Sequence, residues 1–332
     1  LRSAGKAFMA REGMWREMDC ALTWHPSDVN EVVTGTNNSS IQVLYKFHGV
    51  SAHAAGDPEN GRSALDAVEL MNTGAQYLRE HMTSDCRVHY AIIDAGGVSP
   101  NVVQSEASVL YMVRANKVRD SVKLLARVDK IAQGAALMTE TGFDRQFIDG
   151  TAELVPNYTL EELLYRIFNE VGLPEYSAEE KTLAEALRKT YDVTTAPGIA
   201  AGFDADIAAD VAERTNGLSD ALCGFIMPEY HSAGFVAGST DVGDVSWQTP
   251  AAQVHCVTFP FGAAGHSWQN VSCGGTSLGH KGLINAAKII ACAAIELMND
   301  PETLQKARDE FARRTRSGYV CPIEPDAVPT AI

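Results

Sequence analysis

The chain has 332 residues, of which 45% are hydrophobic and 21% charged, and its formal net charge is −15. That length exceeds one ordinary core and predicts two domains. The acidic balance, with no local basic patch to offset it, excludes a nucleic-acid-binding face, and the apolar runs fall short of the roughly 18 residues that a membrane span requires. Seven cysteines are scattered without a C-x-x-C pair. An odd, dispersed set of this kind predicts reduced thiols and a cytoplasmic protein. No signal peptide opens the chain, and Leu1 rather than Met stands first, which predicts an N-terminal truncation.

Taken in order, residues 1–20 read as a short strand or loop and then a helix over 12–20. Residues 21–26 read as a buried strand ended by Pro26, which pushes His25 out of the helical region. His25 then sits at a strand's C-terminal end, where open α/β sheets place ligands; packing beside Trp24 is the alternative. The polar run 37–40 marks a boundary. From there the pattern reads strand 41–47, helix 61–82, strands 87–95 and 106–115, helix 117–140 and strand 143–153. The order β-α-β-β-α-β is the ferredoxin-like arrangement, four strands with two helices on one face. The flanking parts, 1–40 and 156–332, read as halves of one α/β domain into which 41–155 is inserted. They are expected to hold helices over 159–171, 177–191, 277–298 and 300–316, loops over 192–233, a Gly/Asp-rich loop over 235–247 and a strand over 254–259. Asp300-Pro301-Glu302 is a helix start, with a cap, a proline at the first position and an acid near the positive end.

The chemistry concentrates first in the stretch 47–70, a strand, a loop carrying His48 and His53, and a helix start. Backbone N–H groups and imidazoles there can meet a developing negative charge. A histidine in that place can equally cap the helix. Ser239 and Ser267 lie outside any G-x-S-x-G elbow, no cysteine has an electropositive setting, and the Gly96-Gly97 and Gly274-Gly275 pairs lack the Lys-Ser/Thr of a phosphate loop. Metal chemistry has candidates in His25, His231, His255, His266 and His280. The chain shows no H-x-x-E-H, no H-x-D and no acidic pair beside a histidine.

Six short motifs occur in order: Trp24-His-Pro26, Gly49-Val-Ser-Ala-His-Ala-Ala55, Gly96-Gly-Val-Ser-Pro-Asn-Val-Val103, Arg114, Gly238-Ser-Thr-Asp241 and Gly265-His-Ser-Trp268. As a set, extending over essentially the whole chain, they resemble the metal-dependent aminoacylase/carboxypeptidase superfamily of amidohydrolases, in the branch that holds the auxin-conjugate hydrolases. The resemblance implies a catalytic α/β domain with a mostly parallel sheet and two divalent metal ions, zinc or manganese. It also implies an inserted lid that makes the dimer contact, with itself or with a related subunit. His25 and His266 match metal ligands of the family. His53 matches the lid histidine that steadies the oxyanion in the partner subunit's site. Asn101 and Arg114 match residues that hold the substrate's carbonyl or carboxylate, and Arg forks a carboxylate bidentately.

The family's remaining ligands, a Cys-Gly-His segment and a Glu-Glu pair whose first member is general base, have no counterpart in the 332 residues. The resemblance therefore implies hydrolysis of the amide of a small N-acyl amino acid by metal-activated water. It leaves this chain with stabilisers and without the base, so the chain alone is expected to be nearly inactive. The other reading is a non-catalytic or degenerate subunit that dimerises and supports a catalytic partner. His48, His231 and His280 read as structural or solvent-facing, and Asp241 as either a ligand-orienting group or a loop cap.

Overall fold

The computed structural model describes residues 4–329. In chain order the elements are α1 (Gly5–Arg11), β1 (Ala21–Ser27), β2 (Glu31–Val32), β3 (Thr36–Asn37), β4 (Ser39–His48), α2 (Ala64–Arg79), β5 (Arg87–Asp94), β6 (Glu106–Ala115), α3 (Val118–Thr139), β7 (Gly142–Thr151), α4 (Tyr158–Val171), α5 (Ala178–Arg188), α6 (Ile199–Phe203), α7 (Ala205–Arg214), β8 (Phe235–Val236), α8 (Val242–Ser246), β9 (Ala251–Val257), α9 (Trp268–Cys273), α10 (Ser277–Asn299) and α11 (Pro301–Arg314).

The middle of the chain forms a four-stranded antiparallel sheet in the order β5-β6-β4-β7. With α2 and α3 this is the ferredoxin-like arrangement. Alternation in β4 decides which face meets the helices. Ile41, Val43, Tyr45 and Phe47 point to one side and are buried with Val68 and Met71 of α2 and Val128 of α3. Burying each such side chain contributes about 1.5–3 kcal/mol. The opposite face carries Ser40, Gln42, Lys46 and His48 around a small buried trio of Leu44, Leu110 and Ile148. Ser63 caps α2 by accepting from the Asp66 N–H, which starts the helix three residues later than its periodicity suggests.

Outside this unit, β1 runs parallel to β9 and β2 antiparallel to it, a three-stranded sheet in the order β1-β9-β2. The sheet is mixed among the described residues, not mostly parallel. Pro26 lies within β1 and does not end it, which an edge strand permits because a missing N–H can face away from the ladder. α4, α10 and α11 cover the sheet with Leu164, Phe168, Ile289, Ala293 and Ala307. α10 is long and apolar enough, by length and composition, to cross a membrane, which corrects the sequence-based expectation of no such run. Leu278, Ala286, Ile289, Ala293 and Leu297 along one face of it are buried.

Two local expectations are corrected. The first helix covers Gly5–Arg11 and not 12–20, because Gly13 takes a left-handed φ of 75° just past its end. Residues 192–233, expected to be loops, contain α6 and α7. Asp204 caps α7 through the N–H groups of Asp206 and Ile207 and overrides the weak periodicity. The segment after His266 is the short helix α9, capped by Ser267.

The two crossings between the sheets lie side by side. Thr36 donates to the Leu154 carbonyl, and the Leu154 N–H donates to Asn37 Oδ1. α8 packs so closely on the second crossing that a Cβ on Gly243 would lie 2.1 Å from the Ala152 carbonyl oxygen. Asp244 of α8 is fully buried and accepts from the Ala152 N–H at 3.0 Å and the Tyr319 hydroxyl at 2.7 Å. Burial pushes its carboxyl up to about 7. In the unfolded chain it ionises near the ordinary carboxylate value of about 4. The folded state therefore holds the extra proton between those values, and the Asp244 contribution to stability is lost as pH rises from about 4 through about 7. Denaturant titrations should find Asp244→Asn indistinguishable from the wild type near pH 4 and more stable by on the order of 2 kcal/mol near pH 8. Parallel curves at both pH values would remove Asp244 as the cause.

Candidate functional site

His25 is the fifth residue of β1, and parallel pairing sets it beside His255 of β9. Their ring centroids are 5.7 Å apart. His25 Nδ1 is 2.7 Å from the Pro26 carbonyl oxygen, an acceptor only, so Nδ1 carries the proton and Nε2 keeps its lone pair. Burial, opposed by that hydrogen bond and aided by His255 and His266, lowers the tendency of His25 to take a second proton. Neutral with Nε2 open is the form in which imidazole binds a metal ion.

His25 opens onto a cleft of about 640 Å³ between the two sheets. Thr23, Trp24 and Gln253 line it from the mixed sheet, and Ser40, Gln42, Met112, Asp149 and Thr151 from the non-helical face of the antiparallel sheet. The loop 239–241 closes one side. Arg114, on β6, donates to Ser239 Oγ at 2.7 Å and so ties the antiparallel sheet to that loop. Burial works against the Arg114 charge, and the nearby Asp149 carboxylate supports it. Asp241 accepts from both the Lys6 N–H at 3.0 Å and Lys6 Nζ at 2.7 Å, which holds the first turn of α1 at the cleft. Of the two readings left open for Asp241, the structure shows a carboxylate that clamps a neighbouring helix.

His53 and Asn101 lie on another part of the inserted unit. His53 forms an isolated bridge with Val102, and the Ala54 N–H donates to the Asn101 carbonyl, so the two loops that carry these residues are pinned together. His53 Nδ1 accepts from the N–H groups of Ala55 at 3.2 Å and Gly56 at 3.0 Å. The imidazole proton is then on Nε2, and the exposed ring is a neutral hydrogen-bond donor. Neither residue lines the His25 cleft. His266 has a left-handed φ of 61°, a strained conformation for a residue other than glycine, in the turn before α9. Thus His25 lines the cleft, Arg114 reaches its edge through Ser239, His266 is near enough to act on His25, and His53 with Asn101 forms a separate exposed tip.

A divalent cation takes three or four protein ligands in a closed site. Among the described residues no group of three or more His, Cys, Asp and Glu side chains is arranged to hold one. His25 fits such an ion in donor type and tautomer, as one ligand of a shell. Two other histidines, His48 and His231, serve structure. His48 is bracketed on the sheet surface by Glu106 at 2.6 Å and Asp144 at 2.9 Å. His231 stacks on Tyr158 and pairs with the buried Glu161 at 3.0 Å.

Sequence reasoning singled out neither Lys6 and Gln253, which line the cleft, nor the buried partner of His255, Glu31. The alternation Gln253, His255 along one strand face was the available signal, but only the register with β1 places that face on the cleft.

Residues 36–139 match the M20 peptidase dimerisation domain. The chain is 40% identical over 336 residues to the B-type subunit of p-aminobenzoyl-glutamate hydrolase from Escherichia coli (strain K12), covering 99% of this chain and 69% of that protein. It is 26% identical over 313 residues to the Xaa-Arg dipeptidase of Mus musculus, covering 92% of this chain and 59% of that one. Among solved structures it is similar in fold to an aminobenzoyl-glutamate utilization protein from Klebsiella pneumoniae, with a TM-score of 0.51 at 18% identity, covering 87% of this chain and 57% of that one. The chain therefore spans between 57% and 69% of the length of these relatives.

Proposed function

The chain belongs to the M20 family of amidohydrolases, and from that premise we propose that it carries out, as part of its whole protein, metal-dependent hydrolysis of the amide bond of a small N-acyl amino acid such as p-aminobenzoyl-glutamate. The observation that carries the proposal is the cleft itself. A neutral imidazole with an open Nε2, His25, lines it, as does Ser239, whose hydroxyl is held by the guanidinium of Arg114, a group that can fork a carboxylate. In this reading His25 and His266 hold divalent ions, two of zinc or manganese in the complete site, and the metal supplies polarisation of the carbonyl and an acidified water. The remaining tasks fall to this chain's own groups. Arg114 orients the substrate carboxylate across the cleft, using the donors not engaged by Ser239. Asn101 holds the carbonyl side through neutral hydrogen bonds. His53 donates its Nε2 proton to the oxyanion that develops when the amide carbonyl becomes tetrahedral.

Because His53 does not line its own chain's cleft, the site it serves is assigned to a second subunit, joined through the inserted unit that matches the dimerisation domain. The dimer is formed with itself or with a related A-type subunit. The second reading, a supporting subunit without its own turnover, rests on the incomplete ligand set among the described residues.

Release of p-aminobenzoate by the purified chain, alone and mixed with an A-type subunit in the presence of Zn²⁺ or Mn²⁺, tests both. Turnover by the chain alone that is lost in His25→Ala supports the enzyme reading. Turnover only in the mixture, insensitive to His25→Ala, supports the second. Arg114→Lys should raise KM for the carboxylate substrate about tenfold or more with a smaller effect on kcat, since a point charge replaces a planar fork. An unchanged KM would remove Arg114 from substrate binding.

A further inference from the structure

Glu31, His255 and His25 form a row across the mixed sheet. Glu31 of β2 is the antiparallel register partner of His255, and His255 is the parallel register partner of His25. Paired positions on neighbouring strands present their side chains to the same face, so three chemistry-bearing groups stand side by side. Glu31 is 2% exposed, and its carboxylate accepts from the Ile199 N–H as well as from His255 Nδ1, the latter at 2.9 Å. A carboxylate accepts only, so His255 Nδ1 carries a proton and Nε2 has its lone pair. The Gln253 amide nitrogen, 3.3 Å from Nε2, stands on that lone pair as a donor. His255 is thus held in the same tautomer as His25, whose Nδ1 proton is taken up by the Pro26 carbonyl.

We propose that His255, oriented by Glu31, is a further metal-binding residue, which with His25 makes a two-imidazole binding point for a borderline divalent transition-metal ion. Two imidazoles bound through Nε2 to one tetrahedral ion place their ring centroids about 5 Å apart. The observed centroid separation is 5.7 Å, with planes inclined at 55°. A buried carboxylate on the far nitrogen is the outer partner that fixes a metal-binding imidazole and raises its basicity. It also gives a reason for burying a carboxylate on the outer strand β2, where an unpartnered one costs several kcal/mol. Binding displaces or turns the Gln253 amide and leaves both Nδ1 protons in place, so a neutral pair of donors meets the ion without proton release from either ring. The remaining positions of the shell belong to water or substrate.

The inference takes the role of His25 from the proposed function, and its test reads the metal directly instead of hydrolysis. Purified wild-type chain is titrated with Co²⁺, followed by visible absorption and calorimetry, beside His25→Ala, His255→Ala and Glu31→Gln. His48→Ala, a surface imidazole, is the control, and the near-ultraviolet dichroism of each variant reports folding. Expected is one tight Co²⁺ equivalent in the wild type and in the control. Affinity should fall at least tenfold in His255→Ala and between tenfold and a hundredfold in Glu31→Gln. Where His255→Ala fails to fold, His255→Gln, which keeps size and polarity, takes its place. Wild-type affinity in the folded His255 variant, with binding lost in His25→Ala, overturns the inference and leaves the reading of His25 standing. Absence of Co²⁺ binding in the wild type overturns the inference as well.

Discussion

His53→Ala is expected to lower kcat for amide hydrolysis by about 10²–10³-fold, the usual consequence of deleting one oxyanion donor. The melting temperature should stay within a degree or two of the wild type. The ring is exposed and belongs to no core cluster, so truncation opens no cavity. Its contacts are the two N–H donors of Ala55 and Gly56, both in an exposed turn where water replaces the lost acceptor. The chemistry depends on the tautomer. With Nδ1 occupied, Nε2 donates, and a neutral donor stabilises an oxyanion without requiring an acidic medium. His53→Gln, which can still donate from an amide nitrogen, should recover part of the loss. The assay is steady-state kinetics on the assembled protein. An unchanged kcat, or a loss that appears wholly in KM, would show that the loop binds or shapes and does not stabilise the transition state. Mixing His53→Ala with His25→Ala protein gives a separate reading. If His53 serves the other subunit, a mixed dimer pairs one intact His25 site with one intact His53, and part of the activity returns. No recovery would place both groups in one subunit.

Gly49→Ala should be more damaging than removal of His53, because it disturbs the base of the same loop. A Cβ on Gly49 would lie 1.9 Å from the Arg62 carbonyl oxygen, far inside van der Waals contact, and the obstacle is backbone on both sides. That carbonyl accepts the Val50 N–H at 2.8 Å, and the Arg62 N–H returns a bond to the Val50 carbonyl at 2.9 Å. The pair closes the neck of the segment 50–62, which carries His53. The strand and helix on either side cannot yield, since Phe47 and Ala64 are fully buried. The two chain segments must therefore separate, at a cost of about 1–3 kcal/mol for overpacking and on the order of 1–3 kcal/mol for any backbone group left unpaired. Chemical denaturation should show a clear loss of stability with an unchanged m-value. Activity should fall at least as far as in His53→Ala, because the imidazole moves with its loop. A stable protein with wild-type kinetics would mean that the neck opens without cost and that the placement of His53 does not depend on it.

The inserted unit was legible because its cues are local. β4 sets Ile41, Val43, Tyr45 and Phe47 on one face, and α3 repeats its apolar positions at helical spacing. The order of elements then leaves few topologies open, and the sheet order β5-β6-β4-β7 is the one that the β-α-β-β-α-β pattern implies. Short helices escaped for the opposite reason. α6 has five residues and α9 six, too few for a period to emerge; α9 is held by its Ser267 cap, and α6, which lacks a side-chain N-cap, by the Ile199 N–H donating to Glu31. The first helix lies earlier than its pattern suggests because Gly13, inside the expected helix, is left-handed and acts as a stop signal.

For the candidate site, the sequence by itself determined the inventory: imidazoles at 25, 53 and 266, an arginine at 114, an asparagine at 101, and their order along the chain. Residue type and order settle what chemistry is available and which family the chain resembles. Only the tertiary structure decided which of these groups meet. His25 and His255 are 230 positions apart and become neighbours through one parallel register, and a shift of one residue would turn either ring to the other face of the sheet. Glu31 acquires its partner the same way, from β2 lying against the opposite side of β9. Tautomers were equally out of reach, since the proton on His25 is placed by the Pro26 carbonyl and that on His53 by two backbone N–H groups, partners that exist only once the turns have closed. The physical reason is common to all of these. A side chain's identity is written in the chain, but its neighbours, and through them its protonation and its task, are set by contacts between segments that the sequence holds far apart.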